Sequence, residues 1–231
     1  MNLRAKKSLG QNFLKNNKIL EKMVEAGKVA NEIVLEVGPG KGALTKYLLA
    51  EAKKVVAVEK DHRMIGFLEE KFASEIEEKK LILIEGDILD FNFEKDFGLK
   101  KEKYILMANL PYYITGKFLN KVFTEEVAPK KIILLLQKEI VERITGEERR
   151  NGKIYQNPKE SILSLSVKLY AKKVKYLITV GRKNFSPAPN VDSAVILISG
   201  ISDEFFKKNK IKEKDFFAFL KLVFNNKRKK M

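Results

Sequence analysis

Ile33-Val34-Leu35-Glu36-Val37-Gly38-Pro39-Gly40-Lys41-Gly42 is a short, mostly apolar run that stops in three alternating glycines, and Ala43-Leu44-Thr45-Lys46-Tyr47-Leu48-Leu49 follows at once with helical character. A buried strand feeding a glycine turn and a helix is one βα unit. Such a turn is a common structural device. What it can hold depends on spacing. The pattern is E-x-G-x-G-x-G, which departs from the G-x-G-x-x-G dinucleotide fingerprint, and no Walker G-x-x-x-x-G-K-[ST] occurs. Gly38, Gly40 and Gly42 let a ligand approach the backbone and leave helix amides free. With Glu36 before it, the loop suits a ligand carrying an ammonium and a carboxylate.

The same alternation extends in both directions. Upstream, Ile19, Leu20, Met23 and Val24 fall at helical spacing, with Asn16 or Asn17 as N-cap and Gly27 as the expected stop. Downstream, the runs at 54–58, 81–84, 104–108 and 131–136 read as further strands, with helical segments near Met64–Phe72 and Phe118–Phe123. Short strands buried on both faces and separated by helices predict an open parallel α/β sheet. A polar stretch from Thr145 to Lys159 reads as an exposed loop, and Ser161–Tyr170 fits helix or strand. Strands are expected at 175–180 and 194–198. The sheet domain is expected to span residues 1–200, and the Phe-rich residues 201–231 to be helical.

In an open α/β sheet, ligands sit at the carboxyl ends of the strands. Glu59 ends the second strand, about 20 residues past the glycine loop, where a carboxylate can take both ribose hydroxyls. Asp87 ends the third strand and can accept from an adenine amino group. Asn109-Leu110-Pro111-Tyr112 ends the fourth. Pro111 fixes its own φ and keeps Leu110 out of the helical region, so this turn is stiff. A stiff turn presenting a carboxamide and a ring suits a flat, hydrogen-bonding ligand such as a nucleobase. Taken together, the strand ends describe a site for S-adenosylmethionine beside a base.

Composition bounds the partners. The 231 residues carry 46 Lys+Arg against 30 Asp+Glu, a net charge of +16, which implies a polyanion and nucleic acid first. Without cysteine there is no disulfide, thiolate metal site or Cys nucleophile, and the single His62 reads as a solvated helix residue. No metal is expected. No apolar run approaches a membrane span, and the basic amino terminus lacks an apolar signal region, so a cytoplasmic protein is expected.

These motifs carry a resemblance covering nearly the whole chain, from Lys7 to about Arg228. Ser8-Leu9-Gly10-Gln11-Asn12-Phe13-Leu14, the glycine loop, Val58-Glu59-Lys60-Asp61, Gly86-Asp87-Ile88, Asn109-Leu110-Pro111-Tyr112, Gln137-Lys138-Glu139 with Arg143, and Phe185-x-Pro187-x-Pro189-x-Val191-Asp192-Ser193 occur in this order. In that combination the chain resembles the ribosomal RNA adenine N6-dimethyltransferases. The resemblance implies a Rossmann-like class I methyltransferase sheet, mostly parallel with one antiparallel strand, and a small helical domain after it. That domain is expected to be shortened here.

The resemblance also implies roles. Asn12 and Leu14 fold over the cofactor, S-adenosylmethionine, which leaves as S-adenosylhomocysteine. Gly38, Gly40, Glu59, Asp87 and Asn109 contact the cofactor or the target base. Asn109, Leu110, Pro111, Tyr112 and Phe185 form the catalytic set, with Phe185 stacking on the second face of the base. Lys138, Arg143, Arg182, Lys183, Lys227 and Arg228 are candidates for the RNA backbone. The implied substrate is two adjacent adenines in a 3′-terminal hairpin loop of small-subunit ribosomal RNA, on the immature small subunit during ribosome biogenesis, with the enzyme a monomer. The rival is an Erm-type enzyme acting on large-subunit RNA. Those relatives typically carry Ile in place of Leu110, and the Pro187-Ala188-Pro189 segment also favours the small-subunit enzyme. A further rival is an RNA-binding assembly factor on the same fold, against which Asn109 and Tyr112 speak.

Overall fold

The computed structural model describes residues 3–157 and 159–225. In chain order the elements begin with β1 (Phe13–Leu14), α1 (Asn17–Gly27), β2 (Ile33–Val37), α2 (Ala43–Glu51), β3 (Lys54–Glu59), α3 (His62–Lys71), α4 (Ala73–Glu77) and β4 (Leu81–Glu85). They continue with α5 (Phe93–Phe97), β5 (Tyr104–Asn109), α6 (Thr115–Thr124), β6 (Lys131–Gln137), α7 (Lys138–Thr145), β7 (Glu147–Arg150) and β8 (Lys153–Gln156). The last are α8 (Ile162–Tyr170), β9 (Ala171–Val180), β10 (Phe185–Ser186), β11 (Ser193–Ile201), α9 (Glu204–Asn209) and α10 (Glu213–Asn225).

Seven strands form one sheet in the order β4-β3-β2-β5-β6-β11-β9. The first five are mutually parallel, and β11 runs antiparallel to both of its neighbours. This is the expected mostly parallel sheet with one reversed strand. Because β2, β3, β4 and β5 are parallel and paired in register, their carboxyl ends lie along one edge.

Residues alternate between the two faces, and each face has its own core. Val34, Val55, Ile105 and Ile133 pack under Met23 of α1, Leu48 of α2 and Met64 of α3. Leu35, Val56, Leu106 and Leu134 pack under Phe118 and Val122 of α6, Val141 of α7 and Val167 of α8. Burying each such side chain is worth about 1.5–3 kcal/mol, so helices are driven onto both faces.

The structure corrects one reading, resolves a second and refines a third. The Thr145–Lys159 stretch holds a β-hairpin, β7 paired with β8, because Asn151 and Gly152 take φ of 50° and 74°. Positive φ at both central residues is the requirement of a type I′ hairpin turn, which Asn-Gly satisfies. The ambiguous Ser161–Tyr170 is helix. Ser161 caps it through Ser164 N, and Ser164, Val167 and Tyr170 are buried at three-residue spacing. As expected, α1 ends at Gly27, and the residue after it, Lys28, takes the left-handed conformation at φ 53°. Gly27 is there for packing, since a Cβ would sit 2.9 Å from Val29 Cγ1 and close to Met107 and Ile133 of the sheet.

After β11, α9 and α10 pack back on α8 through aromatic rings. Tyr170 stacks on Phe123 at 5.0 Å and lies against Phe206 and Phe217. Phe216 and Phe217 are half-buried, whereas Phe219 is exposed. Among the described residues no helix is long and apolar enough to cross a membrane.

Candidate active site

The carboxyl ends of β2 to β5, the segment around β1, and β10 enclose a cavity of about 470 Å³. The cavity is lined by Asn12, Leu14, Gly38, Gly40, Glu59 and Asp87, together with Asn109, Leu110, Pro111, Tyr112 and Phe185, whereas Gly42, also expected at the ligand, packs against Phe72 and Leu68 instead. The four basic candidates within the described residues do not. Lys138 pairs with Glu142 at 3.1 Å and Arg143 with Glu139, while Arg182 and Lys183 lie exposed on the turn before Phe185. Lys227 and Arg228 lie outside the described residues.

The glycine loop is shaped by its neighbours. All three glycines have φ between 57° and 70°. A Cβ on Gly42 would stand 2.5 Å from the Phe72 ring, and one on Gly40 would stand 2.9 Å from the Phe13 ring. At Gly38 the nearest atom to such a Cβ is the Asn109 carbonyl oxygen at 4.0 Å, so there glycine keeps a space open.

Three carboxylates ring this space in a strongly basic protein. Glu36 is 1% exposed, and its Oε2 has no hydrogen-bond partner among the described residues. Burial, reinforced by the nearby Glu59 charge, pushes its carboxyl up to about 8. The Thr45 hydroxyl and amide offset part of that rise, and the remaining partnerless oxygen on a buried carboxylate is costly unless a cation meets it. Glu59 is also buried; it accepts Gly40 N at 2.9 Å and Asp61 N at 2.8 Å, and burial raises its pKa. Asp87 accepts Leu89 N at 3.0 Å and pairs with Lys60 at 2.6 Å. Burial pushes Asp87 up, but Lys60 and the Leu89 amide outweigh it and leave the carboxyl below its ordinary value.

Asn109 ends β5, and its Nδ2 donates to the Asn12 carbonyl at 3.1 Å. A carbonyl only accepts, so this bond fixes which way the amide is turned and leaves Oδ1 as an acceptor with no hydrogen-bond partner among the described residues. Pro111 adopts φ −57° and ψ 135°, and a 3-10 turn, Tyr112–Ile114, follows. The Tyr112 hydroxyl meets Ser193 Oγ at 2.8 Å, and burial raises its pKa. Tyr113, which sequence left without a role, lies against Gly10.

Residues 4–14 form a strap whose Leu9–Leu14 portion lines the cavity. Leu14 pairs with Phe185 and Phe13 with Ser186. Phe13 also covers Gly40, with the Lys41 ammonium 5.1 Å from its ring. At its other end the strap is latched by Asp61. That carboxylate is 2% exposed, accepts Gln11 Nε2 at 2.8 Å, and takes Arg63 Nε and Nη2 at 3.0 and 2.6 Å. The Arg63 bonds hold Asp61 well below the usual carboxylate range. Sequence reasoning assigned no role to Gln11, Phe13, Asp61 or Ser193. Only Asp61 carried an independent signal, as an Asp standing immediately before α3, whose N-cap it is.

A sequence profile described as "Ribosomal RNA adenine dimethylase" matches residues 2–231 of the chain that builds this cavity. A relative from Fusobacterium nucleatum named "Ribosomal RNA small subunit methyltransferase A" is 37% identical over 231 residues, covering 99% of this chain and 81% of its own. The chain belongs to the ribosomal RNA adenine dimethylase family. It is therefore a methyltransferase of the S-adenosylmethionine-dependent class acting on ribosomal RNA adenine. Among solved structures, a dimethyladenosine transferase from Plasmodium falciparum superposes with a TM-score of 0.73 at 31% identity, over 95% of this chain and 73% of that one. The 23S rRNA methyltransferase ErmE superposes with a TM-score of 0.70 at 21% identity, over 94% and 80%, a likeness of fold alone. Among the described residues no group of His, Asp or Glu could hold a metal.

Proposed function

We propose that this member of the dimethylase family methylates the amino groups of two adjacent adenines in a hairpin loop near the 3′ end of small-subunit ribosomal RNA, producing N6,N6-dimethyladenosine during ribosome biogenesis. The observation that carries the reading is the Asn109 amide. It is turned by the Asn12 carbonyl so that its oxygen is free at the cavity edge, beside the acidic lining.

The cavity fits the cofactor. Gly38 leaves the space, and the orphaned Glu36 oxygen suits an ammonium. Glu59 retains acceptor capacity for ribose hydroxyls, and Asp87 can exchange Lys60 for an adenine amino group. When bound, S-adenosylmethionine supplies a methyl group on a positively charged sulfur, which departs as the neutral thioether. The adenine nitrogen is a poor nucleophile because its lone pair is conjugated into the ring. Asn109 Oδ1 and the Leu110 carbonyl accept the amino hydrogens and turn that lone pair toward the methyl carbon. Tyr112 and Phe185 stack on the base, and the strap excludes water. Methyl transfer to the held nitrogen would form the N–C bond at the expense of the cofactor's C–S bond, and the methylated ammonium would lose its proton to the water that returns when the base leaves. Placement and electrostatic fit supply the catalysis, with no strong general base.

A target base must leave its stack to reach the pocket, which favours an exposed loop of structured RNA. Arg182 and Lys183, next to Phe185 in sequence, and Lys138 and Arg143 on α7 are proposed to hold the RNA backbone, as are Lys227 and Arg228. The protein is proposed to act as a cytoplasmic monomer on the immature small subunit. The small-subunit reading is favoured over the Erm-type alternative by the names of relatives as similar as 37% identity, against 21% for ErmE. Incubation with small subunits from a strain lacking the modification tests the proposal: methyl transfer is expected, and an Asn109→Ala protein retaining full activity would sink the mechanism.

A further inference from the structure

Ser193 stands where β11 begins and is fully buried. It lies in register with Gln137 at the end of β6 and with Val180 at the end of β9, so the ladders on both sides hold its backbone. Its neighbour Asp192 braces the same point. The Asp192 carbonyl accepts Lys138 N at 2.9 Å, and its carboxylate accepts Arg182 N at 2.9 Å. One short segment thus ties together the start of α7, the turn that leads to Phe185, and the strand ends between them.

Tyr112 has no comparable support from its own element. It begins a single 3-10 turn with no side-chain cap, and it is only half-buried. Its hydroxyl is anchored by the 2.8 Å bond to Ser193 Oγ, across 81 residues of sequence. Tethering the far end of a ring at the oxygen restricts both side-chain torsions at once. A stacking face must be held this way, because small misplacements of a reacting partner are costly.

We propose that Ser193 is a positioning residue for methyl transfer, holding the Tyr112 ring in the orientation that stacks on the target base. This rests on the reading of Tyr112 as a wall of the base slot. The Asp192 braces extend the effect. They fix the Ser193 anchor relative to the Phe185 turn, so the distance between the two stacking walls is set by one rigid segment.

The test is a double-mutant cycle of Ser193→Ala and Tyr112→Phe, read as kcat and KM on the RNA substrate, with cofactor Kd measured separately by calorimetry. Each single change removes the same hydrogen bond, so each is expected to lower kcat by about 2- to 12-fold, the worth of one net hydrogen bond, and to leave cofactor Kd within about twofold. The double variant is expected to be no worse than the poorer single. Wild-type kcat in either single, or a double defect equal to the product of the two, overturns the assignment. Should Ser193→Ala fail to fold, Tyr112→Phe decides alone: reduced kcat with unchanged cofactor Kd upholds it, and wild-type kcat overturns it. A wild-type protein that methylates no RNA refutes the functional reading itself. An active wild type with uncoupled variants refutes only the role of Ser193.

Discussion

Replacing Glu36 by Gln should stabilise the ligand-free protein and weaken its grip on the cofactor, with both effects depending on pH. Glu36 is 1% exposed with an orphaned oxygen, and its carboxyl is pushed from about 4.5 up to about 8. Between those values the unfolded chain has lost the proton and the native protein keeps it. Native stability therefore falls as pH rises through this window and levels off above it. At about 1.4 kcal/mol per pH unit, going from pH 5 to pH 8 costs the wild type on the order of 4 kcal/mol. The Glu36→Gln protein, whose amide cannot ionise, does not lose this stability. The constant cost of burying that amide cancels from the difference. In a chain of this size it corresponds to a gap in Tm that moves by about 8–16 °C in favour of the variant. Thermal unfolding of both proteins at the two pH values measures it. A gap that stays constant with pH would refute the assignment of a neutral, buried Glu36. With the Glu36 carboxylate meeting the cofactor's ammonium, as proposed, wild-type affinity should rise by about tenfold per unit between pH 5.5 and 7, with release of close to one proton per cofactor bound. Glu36→Gln should show neither effect.

Other expectations follow from the same geometry. Asp61→Asn breaks the latch on the strap and should weaken cofactor binding by about tenfold, as removing one charge-assisted bond would, and expose residues 4–14 to protease; calorimetry and limited proteolysis read the two effects. The depressed Asp61 carboxyl contributes stability that is present above its ordinary pKa and lost only as pH falls through its native value, so the difference from wild type should vanish in strong acid. Gly40→Ala puts a methyl 2.9 Å from the Phe13 ring at a φ of 57°, and should lift the strap and abolish cofactor binding while the sheet, seen by circular dichroism, persists. Arg182→Glu with Lys183→Glu should weaken RNA binding and flatten its salt dependence, with cofactor Kd unchanged.

The parts of the molecule written in periodic pattern could be read directly. The parallel sheet and the acids at the ends of β3 and β4 follow from runs of apolar residues punctuated by Gly, Glu and Asp, whereas the reversed strand was implied by the family resemblance alone. The Asn109 turn could be placed because Pro111 stiffens it. The strap could not, since residues 4–14 show no period and are held by single long-range bonds such as Gln11 to Asp61 and Asn109 to Asn12. Ser193 was hidden for the same reason, its partner being Tyr112 in another element. The hairpin at 147–156 was legible in principle, because Asn151-Gly152 is a turn signal that the surrounding charges obscure. Gly27 is the last residue of α1, as its position suggested, but its close packing on Val29 and the sheet could not be read, because a packed glycine and a terminating glycine are identical in sequence.

The proposed chemistry is methyl transfer to particular bases, and mapping the transferred methyl groups tests it. Purified protein, labelled S-adenosylmethionine and small ribosomal subunits lacking the modification are incubated together, and the incorporated methyl groups are mapped along the RNA. Two adjacent dimethylated adenines in one hairpin loop of small-subunit RNA, lost with Asn109→Ala, is the result expected. Label confined to large-subunit RNA in a parallel reaction, or no transfer to either RNA, would contradict it.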